Sequence, residues 1–277
     1  MADESDVDKE AVETPSPLPG SEDANEKNGE IAGPDEMDEP GDRPLVAFSW
    51  SDLTIDLPGQ EKRVLLPNLR MLAGESWLAI HYDERLITDL ARKCAGLSPC
   101  SGKMLWNGQA QPPENDYRGR LAFFRNIAYV SHDGLLVRDS TLLQMMCLDL
   151  EYNQGLTPSQ ARRQAFECLD FLGLSQLADL APEKLVGPTK YAALFALAAS
   201  RRPLFFIFER PLAILKARLF NRMFLPLRDM ARRRRQAILV LGRLSSDYSE
   251  NAFDHALPLG DFIIPGGEKD ENALLRD

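Results

Sequence analysis

Short apolar runs alternate with amphipathic stretches along most of the chain, and this alternation predicts a sheet covered by helices. The apolar runs at 77–80, 127–130 and 204–208 have the length of buried strands. Between them, stretches at about 84–95 and 220–235 carry apolar residues at helical spacing. Strands that alternate with helices indicate an α/β fold with a mostly parallel core sheet.

Turn and capping residues set the ends of several elements. Residues 46–57 alternate as a strand up to the turn Pro58-Gly59, and Asn107-Gly108 forms a turn after a strand at 104–106. Gly96 is placed to end the first helix, and Thr157-Pro158-Ser159 begins another. The same reasoning predicts a buried helix at 191–200 and a strand at 237–241.

The charge of the chain is concentrated at its N-terminus. Residues 1–43 hold 15 acidic and three basic side chains and few apolar ones, whereas the other 234 residues hold 27 acidic and 29 basic side chains. A segment of that composition buries too little apolar surface to offset the entropy of ordering. We therefore predict a disordered acidic tail at 1–43 and a domain at 44–277; an acidic arm that binds a basic partner is the alternative interpretation.

Cysteine and histidine residues are too few and too scattered to predict a metal site. No CxxC pair or repeated ligand spacing occurs, which favours reduced thiols in a cytosolic protein. The chain starts without a basic segment followed by an apolar one, so we predict no signal peptide. The longest apolar stretch, 191–200, is too short to cross a bilayer.

Several short segments match known sequence motifs. Each match alone is weak, but their order along the chain is specific. They are Leu78-Ala79-Ile80, Ala95-Gly96-Leu97, Ser101-Gly102-Lys103 with Trp106-Asn107-Gly108, the stretch 185–203, and 205–211. In this order they resemble the motif framework of the ABC transporter ATP-binding domains across nearly all of 45–265. Residues 134–174 and Asp254-His255-Ala256 look most like the ATPases of Mla/Mce-type lipid transporters.

The resemblance implies a fold of three parts. These are a RecA-like parallel core sheet, an antiparallel β subdomain and an α-helical subdomain at about 134–190. In this family the helical part contacts the permease, so the resemblance implies a transporter permease as a partner. It also implies a location in the cytoplasm, peripheral at the inner membrane.

The positions that match the phosphate loop have lost the residues that bind phosphate. A phosphate loop needs glycines that let backbone N–H groups surround the phosphates, a lysine for the β- and γ-phosphates, and a hydroxyl for Mg²⁺. The matching stretch has no glycine, has Ile87 at the lysine position, and keeps a hydroxyl at Thr88. Asp83 and Glu84 would repel a polyphosphate, and His81 begins the stretch.

The positions that match Walker B and the remaining motifs also differ from the family pattern. Glu209 replaces the metal-binding aspartate, and Arg210 replaces the catalytic glutamate although a guanidinium cannot act as a base. We predict that Arg210 pairs with a carboxylate such as Glu209 or Asp83. The other changed positions are His132 at the switch glutamine, Val186, Gly187 and Pro188 in the signature, Lys216 in the D-loop and Arg243 near the switch histidine. We interpret His132 as a structural histidine.

Together these changes predict a catalytically inactive subunit with ATP and Mg²⁺ bound weakly or not at all. The resemblance implies that it belongs to a membrane ABC transporter, and the Mla/Mce likeness implies lipid as the cargo. The expected partners are a permease and either an active ABC ATPase or a second copy of the chain. Two alternatives remain. One is a divergent ATPase that energises transport through Thr88, Glu209 and Mg²⁺, and the other is an interaction module outside transport.

The run Arg232-Arg233-Arg234-Arg235 raises the question of a nucleic acid or an anionic lipid as a ligand. Four consecutive residues cannot share one helix face, and cations are favoured at a helix C-terminus. We therefore interpret the run as a solvated helix end and expect no nucleic acid.

Overall fold

Two five-stranded sheets organise the part of the chain that the structure describes. The structure is a computed structural model, and it describes residues 45–56, 62–243, 248 and 250–260 and the backbone of 263–265. The predictions for the tail at 1–43 and for the turn Pro58-Gly59 fall outside these residues.

The strands in chain order are β1 (Val46–Asp56), β2 (Lys62–Leu65), β3 (Leu69–Leu72), β4 (Ser76–His81), β5 (Ser101–Trp106), β6 (Ile127–Val130), β7 (Phe205–Glu209), β8 (Ala237–Arg243), β9 (His255–Pro258) and β10 (Ile263–Pro265). The helices are α1 (Glu84–Cys94), α2 (Tyr117–Arg125), α3 (Leu142–Gln154), α4 (Pro158–Phe171), α5 (Pro188–Ser200) and α6 (Ala217–Arg233). Four short 3-10 segments complete the described elements.

The central sheet is parallel throughout, in the order β6-β7-β8-β4-β9. Its strands are continuous apolar runs because helices cover it on both faces, and all five residues of β7 are buried. Parallel pairing brings the C-terminal ends of the strands to one edge. There His81 is in register with Arg243, and Glu209 with Leu241.

Strand β7 divides the core into two because its side chains alternate between the faces of the sheet. Phe206 and Phe208 belong to the cluster that contains α3 to α6, and Phe208 stacks on Phe195 at 4.6 Å between ring centroids. Phe205 faces the cluster formed with α1 and the second sheet, and it stacks on Phe48 at 4.6 Å. Each fully buried aromatic side chain contributes about 2–3 kcal/mol to folding.

The second sheet is antiparallel, with β1 paired to β2, β3 and β5, and with β10 on β2. Asn107 and Gly108 both have positive φ in the turn after β5, as the Asn-Gly pattern predicts. This sheet, the parallel core and the helices confirm the predicted α/β fold of three parts.

Helices α3 and α4 form the larger part of the predicted helical subdomain. Both begin with a capping box, Thr141 with Gln144 and Thr157 with Gln160. Gly155 ends α3 in the left-handed conformation. The bounds 44–277 and 134–190 stay predictions. No helix among the described residues is both long and apolar enough to span a bilayer.

Candidate functional site

A buried carboxylate lies at the C-terminal edge of the parallel sheet. Glu209 ends β7, and its side chain is fully buried. Four side chains from other segments surround its two oxygens: Thr88 Oγ1 at 2.6 Å, Ser131 Oγ at 3.0 Å, His132 Nδ1 at 3.0 Å, and the Tyr129 hydroxyl. A buried carboxylate is tolerated when hydrogen-bond donors surround it in this way.

The hydroxyl donors stay protonated at neutral pH. Burial, together with the hydrogen bond and the charge of Glu209, raises the pKa of Tyr129 well above its ordinary value. Tyr191 also belongs to this edge, since its hydroxyl donates to the backbone oxygen of Glu209 at 3.1 Å. Sequence reasoning missed Tyr129, Ser131 and Tyr191. Tyr129 lies one residue before the end of β6, and Ser131 follows that strand directly. Their position at the end of an apolar strand was the available signal.

The pair of Thr88 and Glu209 has the chemistry of a magnesium site. Mg²⁺ prefers oxygen ligands and is held by one or two protein side chains together with substrate phosphates. Thr88 lies on α1, directly after β4, and Glu209 ends β7. Among the described residues, no group of three or more His, Cys, Asp or Glu side chains gathers into a metal site.

Arg210 forms the second part of the site. It adopts the left-handed conformation, with φ 48°, and its guanidinium pairs with Glu84. The predicted pairing of Arg210 is confirmed in kind, but its partner is Glu84 and not Glu209 or Asp83, because α1 begins with Glu84 beside the end of β7. Arg243 Nη1 lies 3.9 Å from the same carboxylate.

Arg210 retains an unused donor. The side chain is only 16% exposed, and its Nε is buried. This Nε has no hydrogen-bond partner among the described residues. An unsatisfied buried donor costs free energy unless a ligand pairs with it. Its Nη1 lies 3.5 Å from His132 Nε2. The orphaned donor and the Thr88–Glu209 pair therefore fit a magnesium–phosphate group.

The segment between β4 and α1 forms hydrogen bonds between its own residues. Asp83 is the N-cap of α1 and accepts from Arg85 N at 2.8 Å, while its own N–H donates to His81 Nδ1 at 2.9 Å. A carboxylate thus occupies the helix N-terminus, where the family has its glycine loop. Ile87 is fully buried in the core and is not placed to contact a ligand.

The signature and D-loop positions lie on other segments. Gly187 caps α5 with φ 54°, Pro188 is the first residue of that helix, and Val186 is 67% exposed. Lys216 is the exposed N-cap of α6. Within the described contacts, none of these four residues joins the hydrogen bonds around Glu209.

Solved structures share this arrangement of strands and helices. The chain aligns with cbiO1 of Clostridium perfringens, part of an ABC transporter complex, with a TM-score of 0.64, 16% identity, and coverage of 79% of this chain and 87% of that one. A dimeric ATP-binding cassette in a post-hydrolysis state, bound to ADP and Pi, aligns with a TM-score of 0.62, 16% identity, and coverage of 80% and 99%. The chain has the fold of an ABC ATPase.

Curated relatives of this ABC ATPase-like chain are ATP-binding proteins of importers. The Fe(3+) ions import ATP-binding protein FbpC of Brucella suis is 29% identical over 178 residues, which are 64% of this chain and 46% of the relative. The sn-glycerol-3-phosphate import ATP-binding protein UgpC of Jannaschia sp. is 31% identical over 109 residues, 39% and 31% of the two chains. The chain spans less than half the length of these relatives, and no protein-family model matches it. The chain is thus similar in sequence to ATP-binding proteins of ABC importers, and the solved structures show its fold.

These relatives overturn four predictions. The catalytically inactive subunit, the absence of enzymatic activity and the absence of an ATP or Mg²⁺ cofactor are contradicted, because the relatives are named ATP-binding proteins. The lipid cargo is contradicted too, because the relatives are named for the import of iron ions, sn-glycerol-3-phosphate and sugars. The error lay in treating each changed motif residue as a lost function, whereas Thr88, Glu209 and Arg210 gather into one polar site.

Proposed function

We propose that this chain is a divergent ATP-binding subunit that energises solute import by a membrane transporter. The observation that carries the proposal is the edge site. There the buried Glu209 is hydrogen-bonded to Thr88, and Arg210 keeps a buried donor that has no partner in the described part of the chain. The ATP-binding relatives support the same conclusion.

The side chains of the site divide into two groups. Thr88 and Glu209 supply the oxygens that would hold Mg²⁺, and Arg210 and Arg243 supply the positive charge that would bind phosphates. Bound Mg·ATP supplies the phosphoryl group and the divalent charge. Glu84 lies against both arginines and offsets part of their positive charge, so phosphate binding competes with this carboxylate.

His132 is positioned to accept a proton. In the tautomer with Nδ1–H, His132 donates to Glu209 Oε1 at 3.0 Å, and Nε2 is left as an acceptor. Arg210 Nη1 lies 3.5 Å from Nε2 and orients the ring from the other side. We assign His132 the role of the base that Arg210 is unable to perform.

The helical part of the chain supports a permease as the partner. Leu135, Val137 and Val186 are 87%, 68% and 67% exposed. Leu135 and Val186 line a cavity of about 540 Å³ between the segment that precedes α3 and the start of α5. Exposed apolar side chains beside a cavity are typical of protein interfaces. This contact would place the protein at the cytoplasmic face of the membrane. A second copy or an active ABC ATPase remains the expected further partner.

The cargo would be recognised by other subunits. The relatives are named for iron ions, sn-glycerol-3-phosphate, and xylose and arabinose, so one type of ATP-binding chain serves chemically different solutes. The likeness of residues 134–174 to the Mla/Mce-type ATPases remains a prediction from sequence.

Equilibrium binding of a fluorescent ATP analogue to the purified full chain tests the proposal. We expect binding that requires Mg²⁺ and that is lost in Glu209→Gln, because the neutral amide does not provide the anionic oxygen for the metal. Glu114→Gln, at an exposed position on the turn before α2, should bind as the unaltered chain does. Equal binding with and without Mg²⁺, or no binding at millimolar nucleotide, would refute the proposed function.

A further inference from the structure

A second polar cavity, of about 490 Å³, lies among α4, α5 and α6. Its wall contains the residues that directly precede β7 and the last turn of α6, which leads into β8. It therefore lies toward the N-terminal edge of the parallel sheet, whereas Glu209 is at the C-terminal edge. The cavity is not part of the site described above.

Three arginines line this cavity without acidic partners. Arg202, Arg233 and Arg234 form no ion pair with any side chain among the described residues. Their neighbours in sequence are paired, since Arg201 Nε lies 3.2 Å from Asp149 and Arg232 pairs with Asp254. The three guanidinium groups are exposed and lie in the wall of one cavity, where an anion can reach them.

One carboxylate also belongs to the wall. Glu167 lines the cavity, and its Oε1 lies 3.9 Å from Arg163 Nε, four residues earlier on α4. One acidic side chain against three arginines leaves an excess of two positive charges in the wall. An anion with two negative charges would balance this excess.

The arginines are held against their mutual repulsion. Burial, and then the charges of Arg202 and Arg233, lower the pKa of Arg234. Arg202 also adopts the left-handed conformation, with φ 54°, which a residue other than glycine or asparagine seldom adopts. Backbone strain of this kind persists where the surrounding structure fixes it, and it often marks a functional position.

Beside the charged residues, the wall combines apolar side chains with the neutral polar residues Gln164 and Ser200. Phe171 and Met230 line the cavity, and burial raises the pKa of the Cys168 thiol to about 12, so that it stays uncharged. The cavity therefore presents positive charge beside an apolar surface, which suits a ligand with an anionic group and an organic part.

We propose that this cavity binds a phosphate monoester, with its phosphate among Arg202, Arg233 and Arg234 and its organic part against Phe171 and Met230. A phosphate monoester carries close to two negative charges at neutral pH, and the planar guanidinium fork matches its oxygens. Arg202, Arg233 and Arg234 line one cavity together, which favours a small ligand over a nucleic acid. This ligand is additional to the nucleotide of the proposed function.

Calorimetric titration of the full chain with phenyl phosphate tests the proposal. We expect about a tenfold or greater loss of affinity in Arg202→Asn and in Arg234→Gln, because each removes a charge-assisted contact. Asparagine tolerates the left-handed conformation at 202, so this variant removes the charge with little backbone cost. Arg222→Gln, at an exposed position on α6 outside the cavity, should bind normally.

Two further arms complete the experiment. Dioctanoyl phosphatidic acid and phenyl phosphate distinguish the source of the phosphate, since binding of the lipid alone indicates a lipid headgroup and binding of phenyl phosphate alone a soluble metabolite. Either probe should bind the unaltered chain in the absence of Mg²⁺ and nucleotide, so that failure of the nucleotide site leaves this result unchanged. Equal affinity in all the arginine variants, or no binding of either probe, would overturn the proposal.

Discussion

At the scale of single residues, Glu209 determines the chemistry of the candidate site. Its carboxylate is fully buried, and its partners are Thr88, Tyr129, Ser131 and His132. Removal of one partner leaves a buried oxygen of Glu209 with one hydrogen bond fewer, and little water is present to replace it. The stability of the protein should therefore respond to changes at these small polar residues.

Thr88→Ala should lower the free energy of unfolding by about 1–2 kcal/mol, because it removes the hydroxyl that donates to Glu209. Thr88→Ser keeps the hydroxyl and should lose less than about half of that amount. Urea denaturation of the two variants measures the difference. If both variants lost the same stability, the lost methyl packing and not the hydrogen bond would explain the effect.

Glu84→Gln should strengthen Mg·ATP binding about fivefold, the equivalent of about 1 kcal/mol, because a negative charge that competes with phosphate is removed. The freed side chains are Arg210 and Arg243. The same nucleotide titration measures the change. Arg85→Gln, the exposed neighbour, is the control, and weaker binding by Glu84→Gln would show that the carboxylate supports the site.

Sequence reasoning found Thr88 and Glu209 but did not find their environment. Both follow apolar strands, so their place at the edge of the sheet follows from local patterns. The pair of Glu84 and Arg210 joins residues 126 positions apart. Such a pair depends on which strands are neighbours and on where α1 begins, and no local pattern in one sequence contains that information.

At the scale of elements, the apolar pattern predicted β4, β6, β7 and β8 within one or two residues, but it did not predict β9, which is largely exposed. It missed α2, which has no buried residue and therefore no apolar stripe. It also missed α3, whose apolar residues run together at its start, although the Thr141 and Gln144 capping box was a usable signal. The predicted helix at 191–200 begins earlier, at Pro188, because the fixed φ of proline suits the first turn.

Asp254 connects β4, β9 and α6 and should make stability depend on pH. Despite the opposing effect of burial, hydrogen bonds from Ser76 and the charges of Arg232 and Arg228 lower the pKa of Asp254. Ser76 N and Oγ both lie 2.8 Å from Asp254 Oδ2. A carboxyl whose pKa is lowered by folding stabilises the protein above its ordinary pKa, and this contribution is lost as the pH falls through the lowered value.

Asp254→Asn should therefore be less stable than the unaltered chain by about 1 kcal/mol at pH 7. The difference should shrink as the pH falls below about 4, where the carboxyl begins to be protonated. Denaturation curves at several pH values measure it. Asp179→Asn, at an exposed position, should show no such dependence, and a difference that stayed constant down to pH 2 would contradict the assignment.

At the scale of the whole molecule, the exposed apolar side chains differ from the edge site in burial and in their hydrogen bonds. Leu135, on the segment that precedes α3, is 87% exposed, whereas Glu209 is fully buried. Contact with the membrane partner and nucleotide chemistry should therefore be separable by mutation. The resemblance predicted this division into parts, but it could not predict which side chains remain uncovered.

Leu135→Asp should reduce the fraction of the protein that sediments with native membranes roughly tenfold, because an apolar contact is replaced by a buried charge. Its nucleotide affinity should not change. Tyr117→Asp, which alters an exposed aromatic residue on α2, is the matched control. Normal sedimentation of Leu135→Asp would move the permease contact to another surface.

The cluster of side chains around Glu209, here called the enclosure, should form late in folding. The side chains that surround it are 77 to 121 positions away along the chain, so they meet only after strand order and helix placement have been established. The enclosure should consequently form after the transition state. A weakened enclosure would then hasten unfolding and leave the rate of folding nearly unchanged, so the lifetime of the folded protein depends on this one carboxylate.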